Sequence, residues 1–130
     1  MRIFIAEPDK ELRVALQMLL HQQAGVHVTG LAVSTEGLVA QVAATKPDVL
    51  LLDWYLPEEP MLDLLAQLGQ ADPRPQIVVM SVRAEVEQEA LAAGADAFVK
   101  KNVPPQDLLA VLDSLSAEDK TETDDEFDPV

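Results

Sequence analysis

Short apolar runs recur along the chain and are separated by longer segments that mix apolar and polar positions. The runs are rich in β-branched residues and mostly continuous, which is typical of strands buried on both faces of a parallel sheet. They cover residues 3–6, 26–31, 49–52, 77–80 and 97–99. The second run alternates apolar and polar positions, and this pattern favours a strand near the sheet edge.

The segments between the runs carry apolar residues at spacings of three and four, which places them on one face of a helix. The predicted boundaries are Asp9 and Gly25 for the first helix, Ser34 and Lys46 for the second, Met61 and Gly69 for the third, residues 86–93 for the fourth, and Pro104 or Pro105 as the start of the fifth. Strand and helix alternate five times. The pattern therefore predicts an α/β fold, a flavodoxin-like (βα)5 doubly wound parallel five-stranded sheet with helices on both faces.

Composition limits this fold to one domain. The chain has 130 residues, 48% of them hydrophobic, which is enough for one core. The domain is predicted to span residues 1–116. Residues 117–130 are strongly acidic and lack a periodic apolar face, so they are expected to form a disordered tail.

Charge and residue usage exclude several classes of partner. A net charge of −14 argues against direct binding to nucleic acid or to an anionic membrane, because both require clustered cations. The chain has no cysteine, which excludes disulfides and thiolate metal sites. No apolar run approaches membrane-spanning length, and the N-terminus enters a strand without a signal-peptide pattern. We therefore expect a cytoplasmic protein.

Reactive side chains follow four of the five predicted strands, whereas the segment after the second, residues 32–34, offers little beyond a helix cap. Glu7 and Asp9 follow the first strand, Asp53 the third, Ser81 the fourth and Lys101 the fifth. In an open parallel sheet these carboxyl ends are where ligands bind. Clustered carboxylates oppose each other's ionisation unless a divalent cation or a lysine offsets them. Such a group suits phosphoryl transfer to a carboxylate.

Three segments together resemble the receiver domains of bacterial two-component response regulators. Residues 51–57 (LLDWYLP) resemble the phosphoacceptor strand and loop, residues 78–81 (VVMS) the fourth strand, and residues 94–101 (GADAFVKK) the fifth strand with its lysine. The resemblance covers roughly residues 1–116. Each motif is weak alone, but three in the same order and spacing are specific.

The resemblance implies a role for each strand-end residue. Asp53 would accept a phosphoryl group from a histidine kinase or phosphotransfer protein, and Ser81 would bond a phosphoryl oxygen. Lys101, rather than Lys100, would pair with the phosphoryl charge. Phe98 matches the aromatic residue that changes rotamer together with Ser81. The non-functional alternatives are that Asp53 is only a helix-capping or turn acid, Ser81 a turn residue, Lys101 a surface lysine and Phe98 an ordinary core residue.

The resemblance also implies partners and limits. The protein would not be an enzyme beyond autophosphorylation from small phosphodonors and autodephosphorylation. It would form a homodimer through the fourth helix, fifth strand and fifth helix. No DNA-binding output region fits in the acidic tail, so the chain is either a stand-alone regulator in a phosphorelay or a fragment.

The segment after the first strand departs from the family pattern, in which two adjacent acids bind Mg²⁺. Here Glu7 matches the first acid, but Pro8 replaces the second and offers no side-chain ligand. The implied magnesium ligands are Glu7 and Asp53, with Asp9 as an alternative that better suits a helix N-cap. Glu58–Glu59 add negative charge nearby. Mg²⁺ binding is therefore expected to be weak.

Two other functions stay open. A pseudo-receiver would bind partners without phosphorylation, and Pro8 is the feature that favours it. A flavodoxin-like cofactor or substrate enzyme is disfavoured, because no glycine-rich phosphate loop follows the first strand.

Overall fold

A computed structural model describes the backbone of residues 1–127 and the side chains of residues 1–116. The strands are β1 (Arg2–Ala6), β2 (His27–Ala32), β3 (Val49–Asp53), β4 (Gln76–Ser81) and β5 (Ala97–Lys100). The helices are α1 (Lys10–His21), α2 (Leu38–Thr45), α3 (Met61–Gly69), α4 (Val86–Ala92) and α5 (Pro105–Phe127). The predicted alternation of five strands and five helices is confirmed. The expectation of a disordered acidic tail concerns residues whose side chains lie outside the described part, so it stays a prediction.

All strands are parallel, in the order β2-β1-β3-β4-β5. The alternating pattern of the second run is explained, because β2 lies at an edge. One apolar layer joins the sheet to α2, α3 and α4, and the opposite layer joins it to α1 and α5. Every residue of the central strand β3 is buried, which accounts for its uninterrupted apolar sequence.

The strand register brings the carboxyl ends of the strands to one edge. Ala6 pairs with Leu52 between β1 and β3, and Ser81 pairs with Lys100 between β4 and β5. The residues that follow these strands therefore meet above the middle of the sheet. This edge is the place predicted for the functional site.

The start of the second helix differs from the prediction. Ser34 was expected to open it, but α2 begins at Leu38, and Gly37 caps it with a left-handed φ of 70°. The hydroxyl of Ser34 instead accepts a hydrogen bond from the backbone N–H of Glu36 at 3.3 Å. Such local turns compete with helix capping for the same hydroxyl, and here the turn is formed.

The first and fifth helices begin as predicted. Asp9 is the N-cap of α1, and its carboxylate accepts the N–H of Glu11 at 2.9 Å. Pro105 is the first residue of α5. Within the described residues, no helix combines the length and apolar character needed to cross a bilayer.

Candidate functional site

Three predicted site residues lie in direct contact at the carboxyl edge of the sheet. The Nζ atom of Lys101 is 2.7 Å from Oε1 of Glu7 and 3.1 Å from Oδ1 of Asp53. The Glu7 and Asp53 side chains are only 1% and 6% exposed, and that of Lys101 is 16% exposed. One ammonium group therefore lies against two buried carboxylates, so the pairing that buried charges require is met for only one of the two negative charges.

The turn after β1 holds Glu7 in place. Oε2 of Glu7 accepts the backbone N–H of Asp9 at 3.0 Å. The guanidinium of Arg13 donates to the carbonyl oxygens of Glu7, at 2.8 Å, and Pro8, at 3.3 Å. Glu7 Oε1 is buried and has no well-aligned hydrogen-bond donor among the described residues, although it lies close to Lys101. Its carboxylate thus has one satisfied oxygen and one that relies on charge alone.

The two carboxylates change the acid–base behaviour of Lys101. Burial alone would lower the pKa of this lysine, but its close contacts with the carboxylates of Glu7 and Asp53 outweigh burial. The net effect raises the pKa of Lys101 above its ordinary value of 10.5. The backbone is fixed as well, since the N–H of Lys101 donates to the carbonyl of Ser81 at 3.0 Å. The side chain is therefore held as a charged ammonium between the acids.

Ser81 lies beside this group without joining it. Ser81 is 1% exposed, and its hydroxyl accepts the N–H of Arg83 at 3.1 Å. Among the described residues this is its only side-chain hydrogen bond. Phe98 lies on β5, is half-buried and packs against the apolar layer beneath α2, α3 and α4. The switch roles of both residues stay predictions.

Two residues near the site were not predicted, Arg13 and Thr35. The segment after β2 was expected to offer little beyond a helix cap, and Thr35, which directly follows it, is 3% exposed and bonded to the loop after β3. Its partners, Pro57 and Glu59, lie more than 20 residues away, so no local pattern indicates the contact.

The acids present suit a weak site for a hard divalent cation. Asp9, the alternative ligand, is exposed and uses its carboxylate to cap α1. Over residues 1–116 no group of three or more His, Asp or Glu side chains is arranged to hold a metal. Glu7 and Asp53 remain, and Glu7 Oε1 is a buried oxygen without a well-aligned donor. Mg²⁺ keeps several waters and binds through as few as one or two carboxylates, so this pair is compatible with it.

Comparison with known proteins identifies a single family. The sequence model of the family described as "Response regulator receiver domain" matches residues 3–113. The "Chemotaxis protein CheY" of Thermotoga maritima is 27% identical over 117 residues, which cover 88% of this chain and 97% of that protein. The "Nitrate/nitrite response regulator protein NarL" of Escherichia coli is 30% identical over 117 residues, 88% of this chain and 54% of NarL. The chain therefore spans the whole of one relative and about half of the other.

Solved structures with the same fold are also receiver domains or contain one. The BeF3-activated N-terminal receiver domain of Klebsiella pneumoniae RstA superposes with a TM-score of 0.76 at 27% identity, covering 86% of this chain and 95% of that one. The Salmonella typhimurium RcsB response regulator superposes with a TM-score of 0.82 at 20% identity, covering 90% of this chain and 61% of RcsB. The RcsB likeness establishes the fold alone.

Proposed function

The chain belongs to the response regulator receiver domain family of two-component systems, and from that membership we propose that Asp53 is its phosphoacceptor. Receiver domains interact with histidine kinases or phosphotransfer proteins, and we propose that such a protein is the phosphoryl donor here. The observation that carries the proposal is the position of Asp53. It is a buried carboxylate at the end of the central strand, 3.1 Å from the ammonium of Lys101.

The transfer itself requires little from the protein beyond placement and charge. A carboxylate oxygen of Asp53 attacks the phosphorus atom, and the bond from phosphorus to the donor atom breaks, its electron pair leaving with the donor. The negative charge of the phosphoryl oxygens then replaces the single negative charge of the Asp53 carboxylate. Lys101 is already held beside Asp53, so it can pair with this added charge without rearranging.

Ser81 supplies a hydrogen-bond donor on the neighbouring strand. Asp53 ends β3 and Ser81 ends β4, which are paired in the sheet. The Ser81 hydroxyl accepts from Arg83 N–H, and its own hydrogen is free to be donated elsewhere. We propose that a phosphoryl oxygen on Asp53 receives this hydrogen and that Phe98 repacks when Ser81 moves.

Glu7 and Asp53 are the residues that would hold Mg²⁺. The cation supplies positive charge that neutralises phosphoryl oxygens during transfer. Because Pro8 contributes no ligand, two buried carboxylates remain among the described residues of this edge, and both already pair with Lys101. We therefore propose that this site binds Mg²⁺ more weakly than a site with a third acid.

The test is phosphorylation by a small donor, followed by intact-mass measurement. The protein is incubated with phosphoramidate and Mg²⁺, alongside Asp53→Asn and the matched control Asp63→Asn, which alters an exposed acid of α3. We expect one phosphoryl adduct on the wild type and on Asp63→Asn, and none on Asp53→Asn. An adduct that persists in Asp53→Asn would contradict the assignment. No adduct on any variant would instead support a pseudo-receiver that does not use Asp53.

A further inference from the structure

Thr35 is a buried polar residue that takes no direct part in the proposed phosphoryl transfer. Its side chain and backbone both face the loop that follows β3. The N–H of Thr35 donates to the carbonyl of Pro57 at 3.0 Å, and its hydroxyl oxygen accepts the N–H of Glu59 at 2.7 Å. Thr35 is only 3% exposed, and buried polar groups are generally hydrogen-bonded. Here both partners belong to the loop after β3.

These two bonds connect parts of the molecule that the sheet does not join. Thr35 follows β2, and the loop follows β3, but β1 lies between these strands. On its other side the same loop is attached to β4, since the N–H of Trp54 donates to the carbonyl of Met80 at 2.9 Å. The segment after Asp53 is therefore hydrogen-bonded on both sides, and Thr35 makes the hydrogen bonds on the β2 side.

This loop, residues 54–60, contains a residue with strained backbone. Glu58 has a φ of 95°, a region that residues other than glycine rarely adopt. It lies between Pro57 and Glu59, the two residues bonded to Thr35. Strained backbone persists only where the surroundings hold it, and it concentrates at functional sites. Thr35 is thus hydrogen-bonded to the residues on both sides of Glu58.

We propose that Thr35 is a positioning residue for the acceptor site, which keeps residues 54–60 in the conformation that phosphoryl transfer to Asp53 requires. This inference rests on the proposed function. Loss of these hydrogen bonds would leave the side chains of Asp53, Lys101 and Glu7 chemically unchanged. It would make the backbone of residues 54–60, next to Asp53, less ordered. Small losses of placement reduce transfer rates strongly, even when the altered residue touches no reacting atom.

The test compares Thr35→Val, which keeps the shape but loses the hydroxyl, with Thr35→Ser, which keeps the hydroxyl. Thr29→Val is the matched control, because Thr29 is a partly buried threonine of β2 whose hydroxyl contacts the Ile3 carbonyl and not the loop. The first readout is the rate of adduct formation with phosphoramidate. We expect a decrease of about tenfold or more in Thr35→Val, and rates near wild type in Thr35→Ser and Thr29→Val.

The second readout follows the loop without any phosphorylation. Trp54 is the only tryptophan of the chain and directly follows Asp53, so its fluorescence reports on this segment. Acrylamide should quench it more strongly in Thr35→Val than in the other three proteins. If the wild type forms no adduct, the proposed function fails while stronger quenching in Thr35→Val still supports the attachment. Equal quenching in all four proteins would overturn it.

A third measurement needs no variant and covers the case in which Thr35→Val does not fold. Glu59 is exposed, yet its backbone N–H is donated to Thr35. In the wild type this amide should be protected from hydrogen exchange. Fast exchange at the Glu59 amide would contradict both the hydrogen bond and the proposal. An equal decrease in the rate of adduct formation in Thr35→Val and Thr35→Ser would also contradict the proposal.

Discussion

Replacing Lys101 by methionine removes the ammonium group that contacts the buried acids Glu7 and Asp53 while keeping the approximate length of the side chain. Glu7 and Asp53 would then face each other as unpaired carboxylates of 1% and 6% exposure. Asp53→Asn is the opposite perturbation, because one buried carboxylate, that of Glu7, then pairs with one ammonium group, that of Lys101. We expect the first change to destabilise the fold and the second to stabilise it when no metal is bound.

The size of each effect follows from burial. Removing one partner of a fully buried ion pair destabilises a protein by about 3–5 kcal/mol. The Lys101 side chain is 16% exposed, so water weakens the effect, and we expect a loss of about 2–3 kcal/mol. For a chain of this length that corresponds to a fall of roughly 10 °C in the unfolding midpoint. Asp53→Asn should stabilise by about 1 kcal/mol, because it removes a buried charge and its repulsion with Glu7.

The assay is thermal unfolding at low salt with a chelator present. Lys10→Met and Asp63→Asn serve as controls, since both alter exposed charges and should shift the midpoint little. The pKa of Lys101 is raised in the folded state, so its stabilisation is complete below its ordinary pKa of 10.5. The difference between wild type and Lys101→Met should therefore stay constant up to about pH 10 and shrink only as pH rises through the raised pKa.

A lower midpoint for Asp53→Asn than for wild type would refute the reasoning. It would mean that the attraction between Asp53 and Lys101 outweighs the repulsion between the two acids and the penalty of burying a second charge. A Lys101→Met midpoint equal to that of Lys10→Met would refute it equally, because the acids would then be solvated rather than dependent on the lysine.

Three further predictions concern metal, assembly and packing. Pro8→Asp should tighten Mg²⁺ binding by about tenfold by supplying another carboxylate, measured by titration of tryptophan fluorescence; an unchanged affinity would place the metal elsewhere. Homodimerisation through α4, β5 and α5 should appear in sedimentation after addition of a beryllium fluoride phosphate analogue, and a monomer under both conditions would exclude it. Gly30→Ala should destabilise by about 1–3 kcal/mol, because the new Cβ would clash with the ring of the buried Phe4; Gly69→Ala, whose new Cβ would have no atom within 4 Å, is the control in the same thermal assay.

The fold could be predicted from sequence because its signals are local. A continuous apolar run such as β3 indicates a strand buried on both faces, and alternation in the second run indicates the edge position that β2 occupies. Asp9 was favoured as a cap from its place before an apolar helical pattern, and the structure confirms this. The meeting of Glu7, Asp53 and Lys101 was also predictable, because strand ends in a parallel sheet share one edge.

The features that could not be predicted depend on strand order and on competition between local bonds. Thr35 bonds to a loop reached only through the order β2-β1-β3, which local periodicity does not encode. Ser34 has the right identity for a helix cap, but its hydroxyl serves a turn, and this choice depends on the fixed loop beside it. The contacts of Arg13 depend on the exact path of the turn through Pro8.

The excess of acid around Asp53, the proposed phosphoacceptor, also affects how fast donors of different charge would reach it. Glu58 and Glu59 are exposed on the loop that follows Asp53, in a chain with a net charge of −14. Such a field slows the approach of small anionic donors, and dissolved salt, which screens charge beyond about 8 Å at physiological ionic strength, relieves this slowing. A donor protein with a cationic face is instead drawn in, and salt reduces its encounter rate. If Asp53 is the phosphoacceptor, long-range repulsion would slow small anionic donors relative to a donor protein of opposite charge.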